Sequence, residues 1–535
     1  MKSWGIIIVT ALGFLMGLIL AGVGVTSAKT LLFSSKHEEK KTETYWADTG
    51  LGQKELSQLV SNLNCQSSEK YFLSCINSVI QVLPKYHMEL SAENGQISKS
   101  NLPSNFDGKS EKENLKPFLH MFETQKSQLV NFETIWSQIL ETEKSKAMQA
   151  QLVGIGINAF LSVYKDPHSY ILPSDYFDEV GSKFERSNLF VGISFEKQST
   201  DIFVRKVYKN SDAELAGLKA QDQLLEINGQ SAANMNLVDI SLILKDGSTK
   251  KFQLTIKRNN VAVGIMITRS YKKLNHVLVE KESGLRDYAV VTLSKFSHGV
   301  CTEIAKQIKN LSTESISGMV LDLRDNPGGE LNEASCIAGL FVGINKKIYA
   351  VKYFDPLKVD EVALTTGSLL YTGPLVLLVN SSSASAAELL AGALQEYNRA
   401  IVVGERTFGK GTFQEGETWI KNSKITFFRT QGFYLLPSGA SPQLKGITPD
   451  LLQPENHQNL RESTSYFNPI AANHDFDLES KELPKQLRFT SEFKKCLPTM
   501  NYTKDDLVLK MGLEILACHR ISSLMATEYS ANEFN

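Results

Sequence analysis

Two stretches of the chain hold residue types able to do covalent chemistry. One is "NSSSASAAELLAGAL" (380–394) and the other is "GERTFGKGTFQ" (404–414). The second carries most of the phosphate-binding spacing G-x-x-x-x-G-K-[ST], through Gly404, Gly409 and Lys410. That pattern needs Ser or Thr after the lysine, to ligate magnesium, and a helix beyond it. Position 411 is Gly, and the following "TFQEGETWI" has no helical pattern, so a nucleotide site lacks support. The other chemistry open to a lysine is general-base catalysis. Desolvation disfavours the charged amine, and a neutral amine can take the proton of a serine. Phe408 and Phe413 flank Lys410 and supply apolar surroundings.

The serine must stand at the end of a rigid element. Ser385 follows the apolar run "PLVLLVN" and precedes a helical pattern. A helix N-terminus offers free amides and a dipole that favour developing negative charge. The placement is that of a strand–turn–helix nucleophile, although G-x-S-x-G is absent. Ser385 and Glu388 also have the spacing of a capping box, so capping accounts for Ser385 equally well. A surface turn accounts equally well for Lys410. Spacing alone leaves both pairs of readings open. His168 follows Pro167 in a loop and reads as structural. With His298 it suggests no ordered Ser/His/Asp set, and a lysine base needs none.

The elements that must position these residues follow from periodicity. From about 285 to 455, apolar strands alternate with helical patterns: "DYAVVTLS", 299–311, "GMVLDLR", 330–341, "PLVLLVN", 385–397, "AIVVGE". That alternation predicts βαβ units and a mainly parallel, buried sheet. Residues 188–258 read as short strands with one short helix, a small mostly-β module. Residues 51–165 are helical, clearest over 147–164, with 91–114 read as a loop. Residues 29–50 read as a linker. Residues 456–535 begin polar and end in a helix after Thr503, which has capping-box spacing to Asp506.

The chain has 535 residues, 42% hydrophobic and 21% charged, an ordinary globular composition with room for three or four domains. Lys+Arg 57 against Asp+Glu 58 gives a net charge of −1, which supplies no electrostatic case for nucleic acid. After Lys2, the run Gly5–Val25 is charge-free and long enough to span a bilayer, with Thr26-Ser27-Ala28 suited to signal cleavage. An uncleaved anchor is favoured over a cleaved signal, and either places the body outside the cytoplasm. In such a compartment disulfides form. Local spacing pairs Cys65 with Cys75 and Cys496 with Cys518, and the apolar settings of Cys301 and Cys336 predict buried thiols. Neither C-x-x-C nor H-E-x-x-H occurs, so thioredoxin and zinc chemistry lack support.

Taken together, "SSASAAELLAGALQEYNRAIVVGERTFGKGTFQ" resembles the signature of the carboxyl-terminal processing (tail-specific) peptidases, serine peptidases with a Ser–Lys dyad. "LDLRDNPGGEL" (321–331), "DPHSYILP" (166–173) and "GITPD" (446–450) are similar to further motifs of that family. "FVGISF" and "AELAGLKAQDQLLEING" look like its PDZ domain. The resemblance covers about 150–455. It implies an α/β multidomain fold: a ClpP/crotonase-like α/β peptidase core (259–455), an inserted mostly-β PDZ domain (188–258), and helical regions at 51–187 and 456–535. It implies Ser385 as nucleophile, Lys410 as general base and Gln414 as the group orienting the amine. Oxyanion donors would be the amides of Ala386 and of Gly328 or Gly329. Phe190, Val191, Gly192, Ile193 and Ser194 would hold the carboxylate of a peptide tail added as a strand. Ser194, and Ala220-Gln221, stand where the family commonly has Gly and Pro-Gly.

The resemblance thus implies a serine endopeptidase acting on the C-terminal tails of extracytoplasmic proteins, with no cofactor, metal or nucleotide. Its implied partners are substrates with apolar tails, an adaptor or activator protein, and the membrane through the N-terminal segment. A homo-oligomer is allowed, and nucleic acid is not a partner. The implied location is the bacterial periplasm, anchored to the inner membrane or secreted. The rival reading is a noncatalytic PDZ scaffold, which loss of Ser385 or Lys410 would have favoured; both are present.

Overall fold

The computed structural model describes residues 46, 48–52, 65–86, 88–99, 111–174, 191–198, 201–208, 211–232, 240, 244, 250–269, 276–282, 287–312, 316–419, 422–453, 461–471 and 506–518. The apolar run Gly5–Val25, Phe190, Cys496 and Thr503 lie outside them.

The N-terminal region contains α1 (Glu69–Ile80), β1 (Met88–Leu90), β2 (Ile97–Lys99), α2 (Glu111–Glu123), α3 (Phe132–Thr142), α4 (Lys146–Tyr164) and β3 (Tyr170–Pro173). Ser68, Asn131 and Ser145 cap α1, α3 and α4 with side-chain oxygens that accept first-turn amides. Helix α4 is apolar enough to cross a membrane by composition. Its Leu152, Val153 and Phe160 instead pack with Phe72, Ile76 and Trp136 in one core. The stretch 91–114, expected to be a loop, holds β2, paired antiparallel with β1, and the start of α2. Only Ile97 is apolar in β2, too little for a periodic signal. The Cys65–Cys75 disulfide forms as expected.

The next module contains β4 (Ile193–Gln198), β5 (Asp201–Val207), α5 (Asp212–Leu215), β6 (Gln223–Ile227), β7 (Gln230–Ser231), β8 (Lys251–Arg258) and β9 (Val261–Thr268). Its strand order is β4-β5-β6-β8-β9, with β7 on β6. The sheet therefore runs to Thr268, past the boundary expected at 258. Asn259 and Asn260, at φ 50° and 63°, make the two-residue turn that folds β9 back on β8. Gln221, where glycine is usual in the family, adopts φ 69°.

The core contains β10 (Val277–Glu282), β11 (Tyr288–Leu293), α6 (Val300–Ser312), β12 (Gly318–Asp322), α7 (Leu331–Val342), β13 (Lys347–Tyr353), β14 (Glu361–Leu364), β15 (Leu375–Val379), α8 (Ala386–Glu396), β16 (Ile401–Gly404), β17 (Thr412–Trp419), β18 (Asn422–Leu435) and β19 (Leu451–Leu452). One sheet has the order β10-β11-β12-β15-β16-β19. It is parallel except where β10 meets β11, as the βαβ alternation predicts. Strands β12 and β15 are buried at every position. Helices α6, α7 and α8 share one core with this sheet, through residues such as Ile304, Ile337 and Leu390. A second sheet has the order β14-β13-β18-β17, with β3 added beside β18. The "DPHSYILP" segment, expected in the helical region, thus joins the core through β3.

Cys301 and Cys336, expected to be thiols, form a disulfide. Each sits in an apolar helical pattern, but α6 and α7 lie side by side and bring their Cα atoms to 6.0 Å. Cys518 is also disulfide-bonded; its expected partner, Cys496, is outside the described residues. After the short α9 (Glu462–Ser465), α10 (Leu507–Ala517) contributes Met511, Ile515 and Leu516 to a separate core with Val320, Val376, Leu378 and Val403 of the parallel sheet. Asp506, not Thr503, is its N-cap, accepting the Leu509 amide at 3.1 Å.

Candidate active site

Strand β15 ends at Val379, and a short turn delivers Ser385 to the head of α8. Ser385 has φ 55° and ψ −118°. A non-glycine residue there carries strain of about 1–3 kcal/mol and persists only where its neighbours over-determine it. They do so here. The Ser385 amide donates to Glu388 Oε2 at 2.9 Å, one half of the capping box. The Tyr434 hydroxyl reaches the Ser385 carbonyl at 3.0 Å. Capping and a chemical role are therefore compatible at this position, since the cap holds the strained geometry.

Lys410 lies in the loop between β16 and β17, and the same two residues hold it. Its amide donates to Glu388 Oε2 at 2.8 Å, and its carbonyl lies 2.9 Å from the Tyr434 hydroxyl. Glu388 also accepts the Thr407 hydroxyl and, at 2.7 Å, the Gly409 amide. Burial pushes the Glu388 carboxyl up to about 7 against these four donors. The loop's other amides are engaged too: Thr407 to Ile447 O, Phe408 to Ser383 O, and Gly411 to Gln443 Oε1. A phosphate cradle needs such amides free, so the geometry also excludes the P-loop.

The Lys410 amine donates to Gln414 Oε1 at 2.9 Å. Gln414 Nε2 lies 3.3 Å from Thr430 Oγ1, and the Thr430 hydroxyl donates to Asp166 Oδ1 at 2.6 Å. Asp166 also accepts Ser169 Oγ at 2.6 Å. The chain of donors from lysine to aspartate fixes the glutamine amide with its oxygen toward Lys410. Desolvation lowers the Lys410 pKa below the ordinary lysine value, although Glu462, Glu388 and Asp166 pull the other way. Glu462 is fully buried, and its Oε2 lies 2.9 Å from His168 Nε2. Gln443 Nε2 donates to its other oxygen at 3.0 Å. Lys410 Nζ makes no hydrogen bond to Ser385 Oγ; its partner is Gln414.

The loop after β12 completes the site. The Asn326 carbonyl accepts the Ala384 amide at 3.0 Å. Asn326 Oδ1 takes the Gly328 amide at 2.9 Å, which leaves the Gly329 amide, rather than that of Gly328, without a hydrogen-bonded partner among the described residues. The Ala386 amide is equally unengaged at the start of α8. Gly328 has φ 97°, and a Cβ there would lie 2.7 Å from Ser385 Cβ and 2.9 Å from Ala386 N. Only glycine keeps the space before the Ala386 amide open.

Of the expected peptide-binding residues, the amide–carbonyl pairs Ala213 N to Val191 O at 3.0 Å and Tyr208 N to Gly192 O at 2.9 Å fix the loop that leads into β4 at Ile193 and Ser194. The sequence did not single out Tyr434, Asp166, Thr430, Gln443 or Glu462, nor the wider role of Glu388. Asp166 and His168 lay in a quoted motif, and that motif was their one signal.

Residues 287–452 match peptidase family S41, and residues 182–257 match the PDZ domain. The chain is 29% identical over 325 residues to the carboxy-terminal processing protease CtpA of Bacillus subtilis (strain 168), covering 59% of this chain and 68% of that protein. It is 27% identical over 331 residues to a probable CtpA-like serine protease of Staphylococcus aureus (strain COL), covering 61% of this chain and 65% of that protein. Among solved structures, the photosystem II D1 C-terminal processing protease aligns over 61% of this chain and 89% of that one, at 22% identity and a TM-score of 0.40. Residues 287–452 are thus similar to peptidase family S41 and residues 182–257 to PDZ domains, and together these similarities support a serine peptidase.

Proposed function

We propose that this peptidase hydrolyses peptide bonds through an acyl-enzyme, with Ser385 as nucleophile and Lys410 as base. The observation that carries the reading is the shared anchor: one buried carboxylate, Glu388, holds the backbone amides of both residues. Substrate binding brings the Lys410 amine from Gln414 to Ser385 Oγ, since catalytic hydrogen bonds commonly tighten only in the substrate complex. The amine takes the hydroxyl proton as Oγ bonds to the scissile carbon. The Ala386 and Gly329 amides hold the resulting oxyanion. Lys410 then gives the proton to the leaving amine as the C–N bond breaks. Water hydrolyses the acyl-enzyme with Lys410 again as base. Gln414, held by Thr430 and Asp166, keeps the amine oriented between steps.

The substrates are the apolar C-terminal tails of proteins outside the cytoplasm, captured by the PDZ domain as an added strand. Two features support that location: the charge-free run Gly5–Val25, and disulfides of the kind that persist in oxidising compartments. The test is cleavage of the unfolded protein β-casein by wild type, Ser385→Ala and Lys410→Ala. Each variant should lose about 10⁴-fold or more in kcat/KM. Wild-type rates in either variant remove that residue from the mechanism.

A further inference from the structure

We propose that Arg324 is a positioning residue for the oxyanion loop, and that helix α10 sets it through Asp506. The inference rests on the peptidase reading above. Arg324 stands, with Asp325, in the turn that follows β12 and leads into the loop. Its guanidinium is gripped by two carboxylates at once. Nε and Nη2 donate to Asp322 at 2.9 and 2.6 Å, while Nη1 and Nη2 donate to Asp506 at 2.6 and 2.8 Å. Asp322 is nearly buried and Arg324 is 19% exposed, so the pair is shielded from water more than a surface ion pair. The Arg324 amide also donates to Asp322 Oδ1 at 3.0 Å. Backbone and side chain of Arg324 are thus fixed together.

The next residue shows why that matters. Asp325 has φ 62°, an unfavourable backbone region for a non-glycine residue. Its amide and its carboxylate both bond the Asn380 side chain, at 3.0 and 2.9 Å. Asn380 opens the turn that leads to Ser385. Asn326 follows, and then the Gly329 amide assigned above to the oxyanion. A slip at Arg324 would pass through Asp325 to both the Gly329 amide and the serine turn. Asp506 is 182 residues away and serves a second purpose as the cap of α10. Docking of α10 on the sheet therefore completes the clamp, and undocking leaves Arg324 half-held.

The test uses the full chain. Asp506→Asn keeps a residue of comparable capping strength and removes the charge that Arg324 grips. It should lower kcat on β-casein about tenfold with KM within about twofold, as misplacement of a transition-state donor predicts. Hydrogen exchange over 322–329 should quicken. Arg324→Lys, which keeps charge but loses the fork, should behave alike. Met511→Ala removes one packing contact of α10 but leaves the helix docked and the clamp intact; it should lower Tm and leave kcat at wild-type level well below that Tm. The proposal is overturned if Asp506→Asn retains wild-type kcat and exchange, or if Met511→Ala lowers kcat equally. If wild type and Ser385→Ala cleave alike, the peptidase reading fails instead, and the exchange rates alone then decide whether the clamp holds the loop.

Discussion

The two halves of the site are held by different means. The serine half is local: Ser385, Ala386 and Glu388 lie within four residues at the head of one helix, and backbone amides do most of the holding. The lysine half is assembled from afar. Thr430 bonds Gln414 and is held by Asp166, while Gln443 takes the Gly411 amide and bonds Glu462, whose charge acts on Lys410; the four come from separate segments and act through side chains. A nucleophile needs an exact direction, and the helix frame supplies it. A base needs a tuned proton affinity, which burial and surrounding charge supply.

Among the supporting residues, the largest effect should come from the one common to both halves. Glu388→Gln places amide hydrogens against amides that now donate to a carboxylate. Leaving a buried donor unpaired costs about 1–3 kcal/mol, so kcat/KM should fall by roughly 100-fold. The folded-state carboxyl, raised from 4.5 to about 7, holds its proton longer than the unfolded chain does. Its contribution to stability is therefore complete below pH 4.5 and lost as pH rises to about 7. Thermal melts of Glu388→Gln across that window should show a flatter pH dependence; an unchanged slope would remove Glu388 as its source.

Loosening only the support of the lysine should cost less. Gln414→Ala frees the Lys410 amine from its orienting partner, and kcat should fall about tenfold while Ser385 and Glu388 stay in place. A loss equal to that of Lys410→Ala would mean that glutamine does more than orient. The finest test is Glu462→Gln. Glu462 raises the Lys410 pKa, so removing its charge favours the neutral amine. The proposed mechanism requires that neutral form, so activity should be lost as pH falls through the lysine pKa. The acidic limb of kcat/KM should move to lower pH, with little change at the plateau; a move to higher pH would contradict the electrostatic account.

The same contrast decides what the sequence discloses. Ser385, Lys410 and Gln414 are legible because contiguous motifs carry them, and β12, β15 and β16 because parallel strands buried on both faces are unbroken apolar runs. The lysine's surroundings are not legible. Thr430 lies within a strand and Gln443 within a turn, both common residue types with no spacing to one another, and only the fold brings them together. His168 reads as structural from its place after Pro167, and the structure agrees; the partner that holds it, Glu462, is 294 residues away and gives no signal. The Cys301–Cys336 bridge was missed for a related reason. Each helix shows which face is apolar, yet neither says which helix lies beside it. Strand β9 was missed as part of the small sheet because paired asparagines, rather than glycine, make its turn.

The shared grip of Glu388 on Ser385 and Lys410 has a mechanical consequence. Both residues hang from one carboxylate on the first turn of α8, so a shift of that helix displaces them together. Breathing of the core becomes common-mode motion, and the separation between Ser385 and Lys410, the proposed nucleophile and base, is insulated from it. The site can ride on a moving sheet and still keep its own ruler.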